Sequence, residues 1–382
     1  MRIGINLLFL TNNTNSSIGK HTEALLNGFR KINLLSDCSL FVRKCYYEKA
    51  KSDYPEANIV LIHAEKIMEY LLTHKKKHSD FSECYYLNRF TISKTVKKLQ
   101  IDVMFHPFND STIYFMKKIH NILVIHDLYY LRYPTIYGRF HYLYAKKKHE
   151  YFLKNSNAIV AVSEFIKNDI LSNIESSQNA FIQVIPNAVA TAEKFTNFVP
   201  VEEPYILSIA SQTYNKNIIT LLRAFNLIKK RISHQLVLIG KHKDMTCEIQ
   251  YYIKKHQLDD RVLCIEAIPD EHRNSLYQHA SLLVAPSLCE SFGRVPIEAA
   301  LLKIPVITSR SSALFEVTLG LLTYYDPPTD SQALAMKIIE MLNHPPSNEA
   351  REQIAATYAR IYDETSIANR YVTLFQPQTR LE

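Results

Sequence analysis

The strongest constraint on this chain is a repeated alternation of short apolar runs with longer amphipathic stretches. In the first half the runs are Ile3–Phe9, Ile59–His63, Val103–His106, Ile122–His126, Ile159–Ser163 and Ile182–Ile185. In the second they are Tyr205–Ala210, Leu236–Gly240, Val262–Ile265, Leu282–Ala285 and Val306–Thr308. Runs this short read as buried strands and the stretches between them as crossover helices, which together predict parallel sheets of the α/β class. At 382 residues, two domains are expected. The polar, proline-bearing stretch Ala192–Pro204 separates the two series. The expected organisation is therefore an N-terminal domain over 1–191, a linker over 192–204, a C-terminal domain over 205–364 and a last helix within 365–382. Ligands of such sheets lie beyond the carboxyl ends of strands, so chemistry is sought in the residues that follow each run.

Composition narrows the class. No apolar run approaches the roughly 18 residues of a membrane span. Met1–Leu10 leads straight into a strand pattern, with no cleavage-site composition of a signal peptide behind it. Cys38, Cys45, Cys84, Cys247, Cys264 and Cys289 are scattered and form no C-x-x-C. That argues against a disulfide framework or a zinc site and fits a reducing, cytoplasmic location. The net charge of +8 is uneven: residues 1–195 hold 26 Lys and Arg against 17 Asp and Glu, and the remainder 19 against 20. The densest basic runs are Lys75-Lys76-Lys77 and Lys146-Lys147-Lys148. Such runs serve either as solvated helix faces or as attraction to an anionic membrane surface or lipid-phosphate acceptor, peripheral at the inner face of the plasma membrane. No nucleic-acid motif accompanies them, so no nucleic-acid partner is expected. The absence of G-x-G-x-x-G after the first run argues against a dehydrogenase.

The most informative stretch begins at the run Leu282–Ala285. Pro286-Ser287 ends that run, Glu290-Ser291-Phe292-Gly293 forms a loop, and from Arg294 the pattern turns helical, with Pro296 suited to a first turn. Strand, loop and helix in this order present unpaired N–H groups to an anion. Glu290 on the loop and Glu298 on the helix flank that mouth. On spacing alone the two acids could equally serve the helix dipole. The full string, with Lys303-Ile304-Pro305-Val306-Ile307 after it, resembles the E-x7-E signature of retaining family-4 glycosyltransferases with the GT-B fold. The resemblance implies two facing Rossmann-like domains with an interdomain cleft. It implies that Glu290 meets the donor sugar, that Glu298 meets the nucleotide ribose, and that Ser291, Phe292 and Gly293 lie against sugar and phosphate.

Other segments carry the same resemblance. Ser16-Ser17-Ile18-Gly19 opens a helix expected to run to Lys31, and Gly19 is placed where the family lets backbone approach the donor phosphate. His126-Asp127 closes the run Asn121–Ile125; the family's strand-end histidine falls on His126, with contact to the donor sugar and support of charge at the reaction centre as its implied roles. His106-Pro107-Phe108-Asn109 ends another run, so His106, Asn109 and Asp127 are expected on the acceptor side. Ile185-Pro186-Asn187-Ala188-Val189 resembles the family's Ile-Pro-Asn-Gly-Val turn, with Ala188 in place of glycine. Lys216-Asn217 matches a late phosphate-binding Lys-Asn, whereas Ala210-Ser211-Gln212 lacks the family's early arginine, and Arg294 is the candidate substitute. Ile268 falls where backbone contacts the nucleobase.

Together these imply a metal-independent hexosyltransferase, and no Asp-x-Asp occurs. It would use a GDP- or UDP-linked sugar as substrate, with no other cofactor, and a glycan or lipid-linked acceptor. Similarity to mannosyltransferase-like members points toward GDP-mannose and bacterial surface polysaccharide or lipopolysaccharide synthesis. The missing arginine and Ala188 motivate a second reading, a degenerate nucleotide- or partner-binding subunit without transfer activity.

Overall fold

A computed structural model describes residues 1–12, 16–63, 87–109, 113–202, 204–266 and 268–376. Lys75-Lys76-Lys77 and Cys84 lie outside the described residues. The chain divides into two units, one of residues 1–188 with 364–382 and one of residues 189–363.

The first unit is built on seven parallel strands: β1 (Ile3–Asn6), β2 (Cys38–Val42), β3 (Asn58–Leu61), β4 (Val103–His106), β5 (His120–Ile125), β6 (Ala158–Ala161) and β7 (Ile182–Val184). Their spatial order is β3-β2-β1-β4-β5-β6-β7. The second holds six parallel strands: β8 (Tyr205–Ile209), β9 (Gln235–Ile239), β10 (Val262–Ile265), β11 (Leu282–Ala285), β12 (Val306–Ser309) and β13 (Thr323–Tyr325), in the order β10-β9-β8-β11-β12-β13. Both are doubly wound Rossmann-like α/β sheets. Each reverses direction once, between β1 and β4 and between β8 and β11, and these switch points are where such sheets open a crevice.

All eleven expected runs sit wholly or mainly on strands, though Leu7–Phe9 leave the ladder and turn, with the Leu10 amide bonded to the Leu7 carbonyl. Two strands had no counterpart in the pattern. β2 begins with the polar-looking Cys38-Ser39 yet is buried at every position, and β13 is the three-residue edge Thr323–Tyr325. Burial on both faces explains the unbroken apolar character of the central strands.

The helix Ser17–Lys31 starts at Ser16, whose hydroxyl caps the Gly19 amide. The helix Glu364–Phe375 belongs to this first unit. Tyr371 and Phe375 bring their rings to 6.5 and 5.7 Å from Phe29, and Tyr371 lies 5.2 Å from Phe105. Lys31 pairs with Glu364 at 2.8 Å. In the second unit the helix Ile218–Ile228 buries Ile218, Leu221, Leu222, Phe225 and Ile228 against the sheet, one face at helical spacing.

The stretch read as a linker is part of the second unit from Val189 onward. It lies along the helix Asp270–His279, where Asn274 donates to the Lys194 carbonyl, the Ser275 hydroxyl accepts from the Thr196 amide, and Phe198 stacks on His272. Side chains on that helix satisfy the extended backbone, so the segment is held rather than free. The boundary between units falls after Ala188. That residue keeps an ordinary negative φ, so no strain attends the alanine, and its amide donates to His21 Nδ1.

Candidate functional site

Two loops meet at the switch point of the second sheet: Ala210–Asn217 after β8 and Pro286–Gly293 after β11. Main-chain and amide contacts stitch them together. The Leu288 amide donates to the Asn215 carbonyl at 2.7 Å, and Asn215 Nδ2 donates to the Cys289 carbonyl at 3.1 Å. Asn217 occupies a left-handed conformation (φ 56°) and its amide donates to the Pro286 and Pro328 carbonyls. Its side chain is thus spent on holding the loops, and its backbone N–H donates to the Tyr214 carbonyl while its carbonyl accepts from the Thr220 amide.

Within this frame Lys216 Nζ lies 2.6 Å from Glu290 Oε1, and the Ser287 hydroxyl donates to the same oxygen at 2.7 Å. The Glu290 amide donates to Ser312 Oγ at 2.7 Å, which fixes the residue's main chain. Both side chains keep some exposure, 24% for Lys216 and 14% for Glu290. A carboxylate with a cation and a hydroxyl on one oxygen keeps lone pairs on the other for ligand hydroxyls.

The helix Arg294–Leu301 begins directly behind. Its N-cap is Gly293 at φ 86°, ψ 58°, and no side chain caps it. A Cβ at Gly293 would stand 2.6 Å from Leu314 Cδ2, so both the conformation and the space require glycine. The uncapped N-terminus at the sheet's carboxyl edge is suited to an anion. Close by, Gly240 ends β9 so near β8 that a Cβ would lie 1.8 Å from the Ala210 carbonyl oxygen.

Glu298 is held on both oxygens. Arg294 Nε meets Oε1 at 2.6 Å, and the Tyr277 hydroxyl donates to Oε2 at 3.1 Å. Burial, then the neighbouring Glu298 charge, pushes the Tyr277 phenol well above its ordinary range, so it stays a donor. Burial draws Arg273 down, but the charges of Glu298, Tyr277 and Asp270 raise it above its ordinary value. Glu298 is therefore paired with Arg294 and feels the charge of Arg273, which itself pairs with Asp270 at 2.7 Å. Arg294, the candidate substitute for the missing phosphate-binding arginine, is engaged by Glu298. Phe292 is turned into the protein. Its ring is 3% exposed and packs edge-on to Tyr362 at 5.5 Å, so this loop offers main chain rather than a ring face. Ser291 is half-buried on the same loop, and Ile268 is half-buried ahead of the helix Asp270–His279.

The first unit brings other residues to its strand ends. His126, just past β5, is 5% exposed, and its Nε2 lies 2.8 Å from the Pro107 carbonyl. A carbonyl only accepts, so Nε2 carries the proton and Nδ1 is left as the acceptor. Burial lowers its pKa to about 4. His126 is thus a neutral imidazole near pH 7, and any support of charge from it is dipolar rather than cationic. Asn109 bridges two elements: Oδ1 accepts from the His126 amide at 3.2 Å, and Nδ2 donates to His149 Nε2 at 3.3 Å. Asp127 is half-buried; desolvation raises its carboxyl above the usual range, against a hydrogen bond from the Tyr129 backbone.

His106 is buried at the end of β4. It is 2% exposed, accepts from Asn6 Nδ2 at 3.2 Å and packs edge-on to Phe115, so it braces the end of β4 from within. Gly19 is buried in the first helical turn. Sequence reasoning missed Ser287, Ser312, Tyr277, Arg273 and His149. Ser287 stands three residues before Glu290 and was within reach; the others arrive through tertiary contact alone.

Comparison with known proteins agrees with this architecture. The family model for glycosyl transferases group 1 matches residues 189–360, and that for glycosyltransferase family 4 matches residues 61–193. The O-antigen chain mannosyltransferase RfbU of Salmonella typhimurium is 26% identical over 226 residues, 58% of this chain and 61% of that protein's length. Sucrose-phosphate synthase from Thermosynechococcus elongatus superposes with a TM-score of 0.74 at 16% identity, covering 98% of both chains. Anabaena HepE in complex with UDP and glucose superposes at 0.70 with 14% identity, again over 98% of both. Two doubly wound parallel sheets, a glycine-ended loop with its paired glutamates, and both family models covering successive parts of the chain place this protein in the group 1, family-4 glycosyltransferases with the GT-B fold.

Proposed function

We propose that the protein transfers a hexose, with mannose favoured, from a nucleotide-sugar to a glycan or lipid-linked acceptor, with retention at the anomeric carbon. The setting proposed is bacterial surface polysaccharide or lipopolysaccharide synthesis at the inner face of the plasma membrane, with the basic N-terminal half toward anionic lipid. The observation that carries this reading is the mouth after β11. An uncapped helix N-terminus lies between one carboxylate on Lys216 and Ser287 and a second held by Arg294 and Tyr277.

In this reading Glu290 holds sugar hydroxyls and Glu298 the paired ribose hydroxyls. The helix N-terminus and Lys216 stabilise the leaving diphosphate electrostatically, a term that is often the largest in such reactions. Lys216 would exchange its Glu290 contact for the diphosphate as the donor binds. His126 Nδ1 accepts from a sugar hydroxyl. No protein nucleophile is assigned. Support for the sugar class comes from the Salmonella relative, an O-antigen mannosyltransferase; the Anabaena complex holds UDP, so the base is left between guanosine and uridine. Among the described residues no helix is long and apolar enough to cross a membrane.

Donor hydrolysis in the absence of acceptor tests the reading. A transferase leaks some sugar to water, and Glu290→Ala should lower that rate about a hundredfold or more while nucleotide affinity holds. Wild-type protein that binds nucleotide but releases no sugar from any GDP- or UDP-hexose would favour the degenerate, non-catalytic reading.

A further inference from the structure

The helix Arg139–Asn155 has two apolar stripes on opposite sides. One, formed by His149, Phe152 and Leu153, is buried in the first unit. At about 100° per residue, Phe140, Leu143, Tyr144 and Lys147 fall together on the other side, the spacing that normally faces a core. Here that side is open: Phe140 is 91% exposed, Leu143 46% and Tyr144 49%. The short helix Pro134–Tyr137 before it adds Ile136 and Tyr137, also exposed. Five of the eighteen strongly exposed large apolar side chains among the described residues thus fall within residues 136–144. Scattered exposed residues are ordinary, but a continuous tip of this kind marks a docking surface.

The charges on the same helix identify what docks. It carries Arg139, Lys146, Lys147, Lys148 and Lys154 against Glu150 alone. Lys147 and Lys154 continue the exposed stripe behind the aromatic tip. Apolar and aromatic side chains at the end of a helix, followed by a basic flank, match the boundary between acyl chains and anionic headgroups. We propose that residues 136–144 insert into an anionic lipid bilayer surface, with Arg139, Lys147 and Lys154 at headgroup level. The buried side of the same helix presents His149 to Asn109, whose carbonyl oxygen accepts from the His126 amide. Docking through the tip would therefore set the bilayer at a fixed place relative to the His126 strand end. This deepens the lipid-linked-acceptor reading, but its test uses neither donor nor acceptor, so the two fail separately.

The test is co-sedimentation of the full chain with vesicles of phosphatidylcholine alone and of phosphatidylcholine mixed with phosphatidylglycerol. The expected result is binding to the anionic vesicles and at least about tenfold weaker binding to the neutral ones. Phe140→Asp combined with Leu143→Asp should lower anionic-vesicle binding by about tenfold or more. Lys147→Glu, at an exposed position, should give a smaller loss in the same direction, and nucleotide-induced thermal shifts should persist in both variants. Wild-type protein that stays in the supernatant with every vesicle overturns the proposal. So does vesicle binding that the tip variants leave unchanged. A wild-type dimer that the tip variants render monomeric, with no vesicle binding, assigns the surface to a second copy of the chain and equally overturns it.

Discussion

Replacing Gly293 by alanine probes the geometry on which the donor mouth depends. Two costs follow from the structure. At φ 86° an L-residue pays roughly 1–2 kcal/mol. The new Cβ would stand 2.6 Å from Leu314 Cδ2, about 1 Å inside ordinary carbon contact, and overpacking of this kind adds roughly 1–3 kcal/mol. Lower entropy of the unfolded chain returns about 0.4–1 kcal/mol. The expected net loss is about 2–4 kcal/mol. The two parts are separable, because Leu314 is fully buried and its truncation removes the clashing atom. Leu314→Ala alone should cost about 2–5 kcal/mol. In that background Gly293→Ala should cost only about 1 kcal/mol, a coupling of about 1–3 kcal/mol between neighbours. Denaturant-dependent hydrogen exchange of the Arg294–Leu301 amides reads the second unit by itself. A Gly293→Ala cost below about 0.5 kcal/mol, or an equal cost with and without Leu314, would refute the reasoning.

Two further perturbations follow from the same geometry. Gly240→Ala forces a Cβ to 1.8 Å from a backbone oxygen that cannot swing aside, so it should destabilise by about 3 kcal/mol or more. Gly138→Ala, whose Cβ would meet nothing within 4 Å, should cost only the roughly 1–3 kcal/mol of its φ 77°, ψ 155° backbone; a larger loss there than at Gly240 would contradict the packing account. Burial lowers His106 to about 3, and His126 and His149 to about 4, from an ordinary value of 6.5. These depressed bases are neutral in the fold. As pH falls from 6.5 toward 4 the unfolded chain takes up protons that the fold does not, so stability present at neutral pH is lost. At pH 5 each should cost about 2 kcal/mol. A urea midpoint that does not fall between pH 7 and pH 5 would show these imidazoles to be protonated in the fold.

What could be read from the sequence was what depends on local pattern. The apolar alternation anticipates parallel sheets, and the loop Glu290–Gly293 with Pro296 behind it anticipates strand, loop and helix at the right residues. Side-chain direction was not legible. His106 and His126 both end strands, but only pairing with β1 shows that His106 turns inward beneath Asn6. The inward turn of the Phe292 ring onto Tyr362 is likewise a matter of tertiary packing. β2 was hidden because Cys38-Ser39 looks polar although every position is buried, and β13 because a three-residue edge gives no period. The hold of Tyr277 on Glu298 joins residues 21 apart through the fold, and nothing local announces it.

The central claim is that the mouth after β11 binds a nucleotide through Glu298. It is tested most directly by a thermal-shift panel of GDP, UDP and ADP and their hexose conjugates, with wild type and Glu298→Ala in parallel. At a hundred times its dissociation constant a ligand stabilises by about 2.7 kcal/mol. The account predicts a shift with guanosine or uridine diphosphates that shrinks in Glu298→Ala. Equal shifts in both proteins, or none with any nucleotide, would contradict it.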